Sequence, residues 1–208
     1  MSRTAESDGT PAASSNDRLG FSRLLQDLKS RRRRFRQFAG AIFVFAMTLA
    51  GAPRLNEFAV GAGVVLLGMS IRLWASGFVM KNQVLATVGP YARVRHPLYV
   101  GNLAICAGFC LASGRWWSWL VALAVLLLFY PTAIQYEDRK LRRLFPDEWD
   151  RWAAKTRALL PSATPYLSEH GQDQPRWSLK LSMMRNGEPI HILVGVLCLA
   201  YLYSKNLA

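Results

Sequence analysis

Residues 89–101 read Gly-Pro-Tyr-Ala-Arg-Val-Arg-His-Pro-Leu-Tyr-Val-Gly, and Glu137 and Asp138 follow 36 residues beyond Gly101. The side chains in these two places meet the needs of a polar reaction on a charged ligand. Arg95 offers a planar fork that holds a carboxylate, although a guanidinium near a bilayer serves equally well as a surface anchor. His96 is either a binding group or a general base. Either carboxylate is the natural base if the nucleophile is an amine that must lose a proton before attack. Tyr91 and Tyr99 bring aromatic faces suited to a cation.

Pro97 suits the first turn of a helix, where a missing N–H costs nothing. A helix that starts there is expected to leave neighbouring amides facing a ligand carboxylate, with Gly101 one turn later permitting close approach. Gly89, Pro90 and Pro97 punctuate a polar stretch over 81–97, which therefore reads as a loop. Trp149 and Trp152, in an amphipathic pattern over 137–157 broken near Pro146, either border a lipid gap or anchor the chain at a membrane interface.

The elements that must position these residues are apolar. Of 208 residues, 51% are hydrophobic, and mean hydropathy is slightly positive, which points to a membrane class. Nearly charge-free runs cover 38–52, 58–80, 98–113, 116–130 and 190–203. Crossing the hydrocarbon core takes roughly 20 residues, so the shorter runs must borrow flanking residues, and four or five spans are expected. The fold class is all-α: an integral membrane helical bundle with about five transmembrane helices and a cytoplasmic pocket built from helix ends and short interfacial helices.

The formal net charge is +13, and the 26 Lys and Arg residues are unevenly placed: nine precede the first run, three lie in 81–97 and ten in 137–187. With the N-terminus cytoplasmic, all three segments fall on the cytoplasmic side, as the positive-inside rule requires. The charge therefore speaks for topology and anionic lipid contact, and against nucleic acid. Arg72 is the one charge well inside a run; it lines a polar cavity or snorkels to the surface. Gly61, Gly63 and Gly68 in the same run suit close helix packing. Cys106, Cys110 and Cys198 all fall in apolar runs without His or carboxylate partners at ligand spacing, so they read as packing residues and no metal site is expected.

Four segments follow. Residues 1–17 read as a disordered tail without a signal peptide core. Residues 18–37 form a basic juxtamembrane segment in which Phe21, Leu24, Leu25 and Leu28 recur at helical spacing ahead of the arginine run 31–34. Residues 38–165 make the membrane core, and 166–208 supply a polar linker and a last, accessory anchoring span.

The loop motif and the Glu137-Asp138 pair, with Leu141, Phe145 and Trp149 after it, resemble the isoprenylcysteine carboxyl methyltransferase family and its phospholipid N-methyltransferase relatives. That pattern is Gly-x-Tyr, then Arg-His-Pro-x-Tyr-x-Gly, then Glu-Glu-x-x-Leu-x-x-x-Phe-Gly-x-x-Tyr with a proline close after, and it covers 83–161 here. The resemblance implies a methyltransferase that binds S-adenosylmethionine at the cytoplasmic membrane face of a bacterial-type membrane. It places the cofactor against Gln83, Val84, Leu85, Ala86, Tyr91, His96, Pro97, Leu98, Tyr99 and Gly101. It assigns catalysis to Arg95 and Glu137, and contact with an amphiphilic or lipid-like acceptor to Glu137, Asp138 and Trp149. Transfer to an ionised carboxylate needs no base, only alignment with water excluded. The chain departs from the pattern at Asp138, Pro146 and Trp149. At Ala133 it lacks the arginine that prenylcysteine enzymes carry one turn before the first glutamate. Two alternatives stand beside this reading: an NADPH-dependent sterol-type reductase, whose membrane core shares a related Arg-His-Pro-x-Tyr stretch, and a non-catalytic membrane scaffold.

Overall fold

The computed structural model describes residues 40–167 and 176–207. The expected tail over 1–17 and the basic juxtamembrane segment over 18–37 lie outside the described residues. Everything below belongs to the unit formed by residues 39–208.

Among the described residues six α-helices carry the fold: α1 Gly40–Ala50, α2 Leu55–Ser76, α3 Pro97–Ala112, α4 Ser118–Leu144, α5 Pro146–Lys155 and α6 Glu188–Ser204. A 3-10 turn, Gly89–Ala92, precedes α3, and a single π turn, Leu181–Arg185, precedes α6. Among the described residues there is no strand, only an isolated bridge between Val94 and Arg157. At 22 and 27 residues, α2 and α4 are long and apolar enough to cross a membrane, since 1.5 Å per residue gives roughly 33 and 40 Å. The apolar helices α1, α3 and α6 are shorter.

The helix α4 departs from expectation. The apolar run ends near Tyr130, yet the helix continues to Leu144 without a break. Glu137 and Asp138 thus sit inside a helix, about two turns from its end. The residues that extend α4, among them Arg139, Lys140, Leu141 and Arg142, are good helix formers. The stop comes at Phe145, whose backbone leaves the helical region (φ −138°, ψ 64°), because a residue before proline is pushed out of it. Pro146 then opens α5 at its first turn, a position proline favours. The amphipathic pattern over 137–157 is therefore the end of α4 plus one short helix, with the break at Phe145 and Pro146.

Glycine fixes the pairing of α2 with α3. Gly61 and Gly68 on α2 meet Gly108 and Gly101 on α3 at backbone distance. A Cβ on Gly108 would lie 2.6 Å from Val65 Cγ2 and 2.8 Å from the Gly61 carbonyl oxygen, whereas one on Gly63 would meet open space. Gly108→Ala is accordingly expected to destabilise the protein by about 1–3 kcal/mol through overpacking, and Gly63→Ala to leave the unfolding midpoint in detergent nearly unchanged.

The interior around this pair is built by α1, α2, α3 and α6: Phe43, Met47, Val65, Met69, Phe109, Cys110, Leu199 and Leu202 are all buried together. Cys198 joins them, and Cys106 packs against the cluster. Because α6 supplies a share of this core, it is a structural member of the bundle and more than an accessory anchor. Large apolar side chains also point outward, among them Phe45, Leu67, Leu123, Leu128 and Leu197, which is the surface a hydrocarbon environment requires and water does not. At the end of the bundle away from residues 77–96, Lys205 Nζ donates to the carbonyls of Leu49 (2.6 Å) and Gly51 (3.0 Å), and Ala52 N–H donates to the Ser113 carbonyl at 2.9 Å.

Candidate functional site

A second apolar cluster forms at the other end, where Ala75, Leu85, Ala86, Tyr91 and Trp152 are buried against Phe78, Val79, Leu98, Leu141 and Phe145. It walls a cavity of about 320 Å³, within the size range of small-molecule sites. The loop that lines it is held from behind by the chain after α5. Arg95 N–H donates to the Arg157 carbonyl at 2.9 Å, His96 N–H to Ala158 at 3.1 Å, and Tyr166 N–H to Ala92 at 2.6 Å. Arg93 Nη1 adds a 2.7 Å bond to the Ala163 carbonyl. Trp152 is the keystone: it is 1% exposed, and its Nε1 donates to the Tyr91 carbonyl at 2.8 Å. It is therefore a buried packing residue and not an interfacial anchor.

The lining contains Val84, Leu85, Ala86, Tyr91, Arg95, His96, Leu98, Tyr99 and Glu137, all of which the sequence singles out. Five expected residues lie elsewhere. Gln83 is exposed to the outside. Pro97 is buried at the start of α3 and fills space as the helix opens. Gly101 faces α2: a Cβ there would come within 2.6 Å of Arg72 Cγ, so its smallness serves helix packing and not ligand approach. The Tyr99 amide, expected to face a ligand, donates instead to the His96 carbonyl at 3.0 Å. Asp138 and Trp149 stand behind the lining and support it.

Asp138 organises that support. Its Oδ1 lies 3.0 Å from His96 Nε2 and its Oδ2 lies 3.7 Å from Arg95 Nη2. A carboxylate at Nε2 fixes the proton there and leaves Nδ1 as the acceptor of the neutral ring. The Arg95 guanidinium is also stacked over Trp149, whose ring carries Arg142 as well, at 5.7 and 5.5 Å from the centroid. Asp138 and Trp149 thus act on His96 and Arg95. Glu137 is different: it lines the cavity, and its carboxylate makes no hydrogen bond or ion pair with any described residue. His96 and Tyr99 pack ring to ring at 5.5 Å, as do Tyr99 and Tyr130.

Burial pushes the Tyr91 phenol well above its ordinary range; Arg72 opposes the shift, and Glu137 and Glu188 add to it. Tyr91 is therefore a neutral hydrogen-bonding group and not a tyrosinate base. The unfolded phenol ionises above its ordinary value of 10.0 while the folded one stays neutral, so this contribution to stability is intact below that pH and is lost above it. Thermal unfolding is expected to shift downward above about pH 10, and to shift less in Tyr91→Phe.

Arg72 also reaches the cavity, together with Asn102, Lys140, Leu141 and Phe145. The isolated charge in an apolar run was the signal for Arg72, and it faces a cavity and a partner instead of snorkelling. That partner, Glu188, had no signal, because beside Pro189 it read as part of a polar linker. Among the described residues, no three His, Cys, Asp or Glu side chains group as metal ligands do.

The phospholipid methyltransferase family matches residues 58–148, a stretch that contains most of α2, all of α3 and α4, and the loop motif. The chain is 36% identical over 163 residues to the cobalt-zinc-cadmium resistance protein CzcN of Cupriavidus metallidurans, covering 72% of this chain and 73% of that protein. It is 36% identical over 113 residues to the nickel-cobalt-cadmium resistance protein NccN of Alcaligenes xylosoxydans xylosoxydans, about half of each chain (51% and 52%). It is 28% identical over 124 residues to the protein-S-isoprenylcysteine O-methyltransferase of Schizosaccharomyces pombe, covering 60% of this chain and 51% of that enzyme. No solved structure matches. The molecule is a methyltransferase of the helical membrane class. It belongs to the phospholipid methyltransferase family together with the isoprenylcysteine methyltransferases, and the reductase and scaffold alternatives fall with that assignment.

Proposed function

We propose that the protein transfers a methyl group from S-adenosylmethionine to an amphiphilic or lipid-like acceptor at the cytoplasmic face of a bacterial inner membrane. The observation that carries this reading is the cavity itself: an apolar wall of Val79, Val84, Leu85, Leu141 and Phe145 stands opposite polar groups from Arg72, His96, Asn102 and Glu137. A purine needs the first, and a sulfonium with an amino-acid tail needs the second. The residues therefore fit the cofactor, which when bound supplies an electrophilic methyl group.

The chain's own contribution is placement. Tyr91, Tyr99 and Glu137 supply aromatic faces and a carboxylate for positive charge, and His96, oriented by Asp138, presents a hydrogen-bonding edge. Trp152 and Phe145 close the site against water, where alignment of the reacting groups accounts for most of the rate. For an acceptor that must lose a proton, Glu137 is the available base, since no cation among the described residues pairs with it. Ala133 is buried where prenylcysteine enzymes carry their arginine, so the acceptor class is set more broadly than isoprenylcysteine.

The topology that accompanies this reading has five spans, α1, α2, α3, α4 and α6, with the N-terminus cytoplasmic and the cavity on that side. The charge distribution supports it: Arg54, Arg115 and Lys205 alone fall on the far side. The basic segments would then meet anionic lipid. The test is to incubate the protein in lipid nanodiscs with methyl-tritiated S-adenosylmethionine and a bacterial membrane extract. Organic-soluble label is expected from the wild type and not from Glu137→Ala. Failure of the wild type to label any extract component would refute the amphiphile reading.

A further inference from the structure

A residue that lines the cavity, Arg72, is held by a part of the chain that the family match over 58–148 does not reach. Arg72 Nε donates to Glu188 Oε2 at 3.1 Å, and Nη2 donates to Oε1 at 2.8 Å. Arg72 Nη1 donates to Asn102 Oδ1 at 2.6 Å. Both charged side chains are nearly sealed, at 9% and 3% exposure. The segment leading to Glu188 is stitched to the end of α2. Asn186 Nδ2 donates to the carbonyls of Ser76 (2.7 Å) and Val79 (3.1 Å), and Ser178 N–H donates to that of Gly77 (3.0 Å). These bonds satisfy the carbonyls that a helix end leaves open, and they fix Val79, which lines the cavity.

A buried ion pair contributes little net stability compared with well-packed apolar residues, so stability alone does not explain why charge is kept here. A guanidinium carries five N–H groups; Glu188 and Asn102 take three, which leaves two on a side chain that lines the cavity. The other cations of the lining are less suited to a fixed anion. Arg95 is shared between Asp138 and the Trp149 ring, Lys81 is exposed, and Lys140, which also lines the cavity, offers a point charge on a flexible stem instead of a fixed planar fork.

We infer that Arg72 receives the carboxylate of the methyl donor's amino-acid tail, and that Glu188 and Asn102 are positioning residues that hold its guanidinium for that contact. This rests on the assignment of S-adenosylmethionine as donor. It makes α6 part of the donor site, acting through Arg72.

The experiment compares binding of S-adenosylmethionine with binding of its decarboxylated analogue, by calorimetry on the full chain in detergent. Wild type is expected to prefer the carboxylated molecule by roughly tenfold to a hundredfold, the range of a charge-assisted hydrogen bond. Glu188→Gln and Asn102→Ala are expected to lose most of that preference while still binding the decarboxylated analogue, and Glu188→Asp to recover part of it. Asn102→Ala leaves the ion pair intact, so the test stands even if Glu188→Gln unfolds. The double variant Arg72→Glu with Glu188→Arg restores a buried pair without a cation at position 72, and it is expected to fold without regaining the preference. A preference that survives Asn102→Ala would overturn the positioning role of Asn102, and one that returns in the double variant would overturn the role of Arg72; either result leaves the donor assignment standing. No binding of either molecule by folded wild type would overturn both.

Discussion

His96→Ala is expected to weaken S-adenosylmethionine binding by roughly tenfold to a hundredfold and to remove measurable methyl transfer, with the protein still folded. The imidazole is 5% exposed, lines the cavity and is held by Asp138 at 3.0 Å. Its backbone carbonyl receives the Tyr99 and Val100 amides and so starts α3. Alanine keeps that backbone role, so the helix persists. What disappears is the ring edge and its packing on Tyr99, and Asp138 is left with only the Arg95 contact at 3.7 Å. Asp138→Asn should fall between wild type and His96→Ala, because an amide still bonds to the ring without holding it as a carboxylate does. Calorimetric titration of the three proteins, with unfolding midpoints as a check on folding, measures the order.

Trp152→Ala is expected to be the most damaging packing change, at about 3–5 kcal/mol. The indole is fully buried among Leu85, Ala86 and Tyr91, and it is the direct bond from α5 to the loop through the Tyr91 carbonyl. Its removal leaves a void beside the cavity and an unpaired carbonyl within it. Trp152→Phe keeps most of the volume and loses only the hydrogen bond, about 1 kcal/mol. Equilibrium unfolding in a mixed detergent and denaturant series separates the two. An interfacial anchor would instead tolerate Trp152→Phe and Trp152→Ala about equally.

The reading of the sequence was strongest where one side chain had one place to go. Helix starts at Pro97 and Pro146, close packing at Gly61 and Gly68, and the loop ending in Arg95 and His96 follow from local chemistry, and the structure places them accordingly. It was weaker where a role depends on a partner far along the chain. The family resemblance puts Asp138 and Trp149 against a ligand, yet Asp138 turns to His96 and Arg95, and Trp149 lies under the Arg95 guanidinium. Gly101 has the same smallness whether it faces a ligand or another helix, and only the position of α2 decides. Glu188 pairs with Arg72 across 116 residues, a distance over which no periodicity carries information. The end of α4 was missed because apolarity stops at the membrane boundary while helical propensity does not.

The central claim is that S-adenosylmethionine occupies the cavity between the ends of α2, α3 and α4. The most direct measurement is ultraviolet cross-linking of labelled S-adenosylmethionine to the purified full chain, followed by mapping of the labelled peptides. The account predicts saturable label, displaced by S-adenosylhomocysteine and not by NADPH, on peptides from 79–102 and 137–152 or on the peptide carrying Arg72, which together line the cavity. Label confined to other parts of the chain, or absent from folded protein at saturating donor, would contradict it.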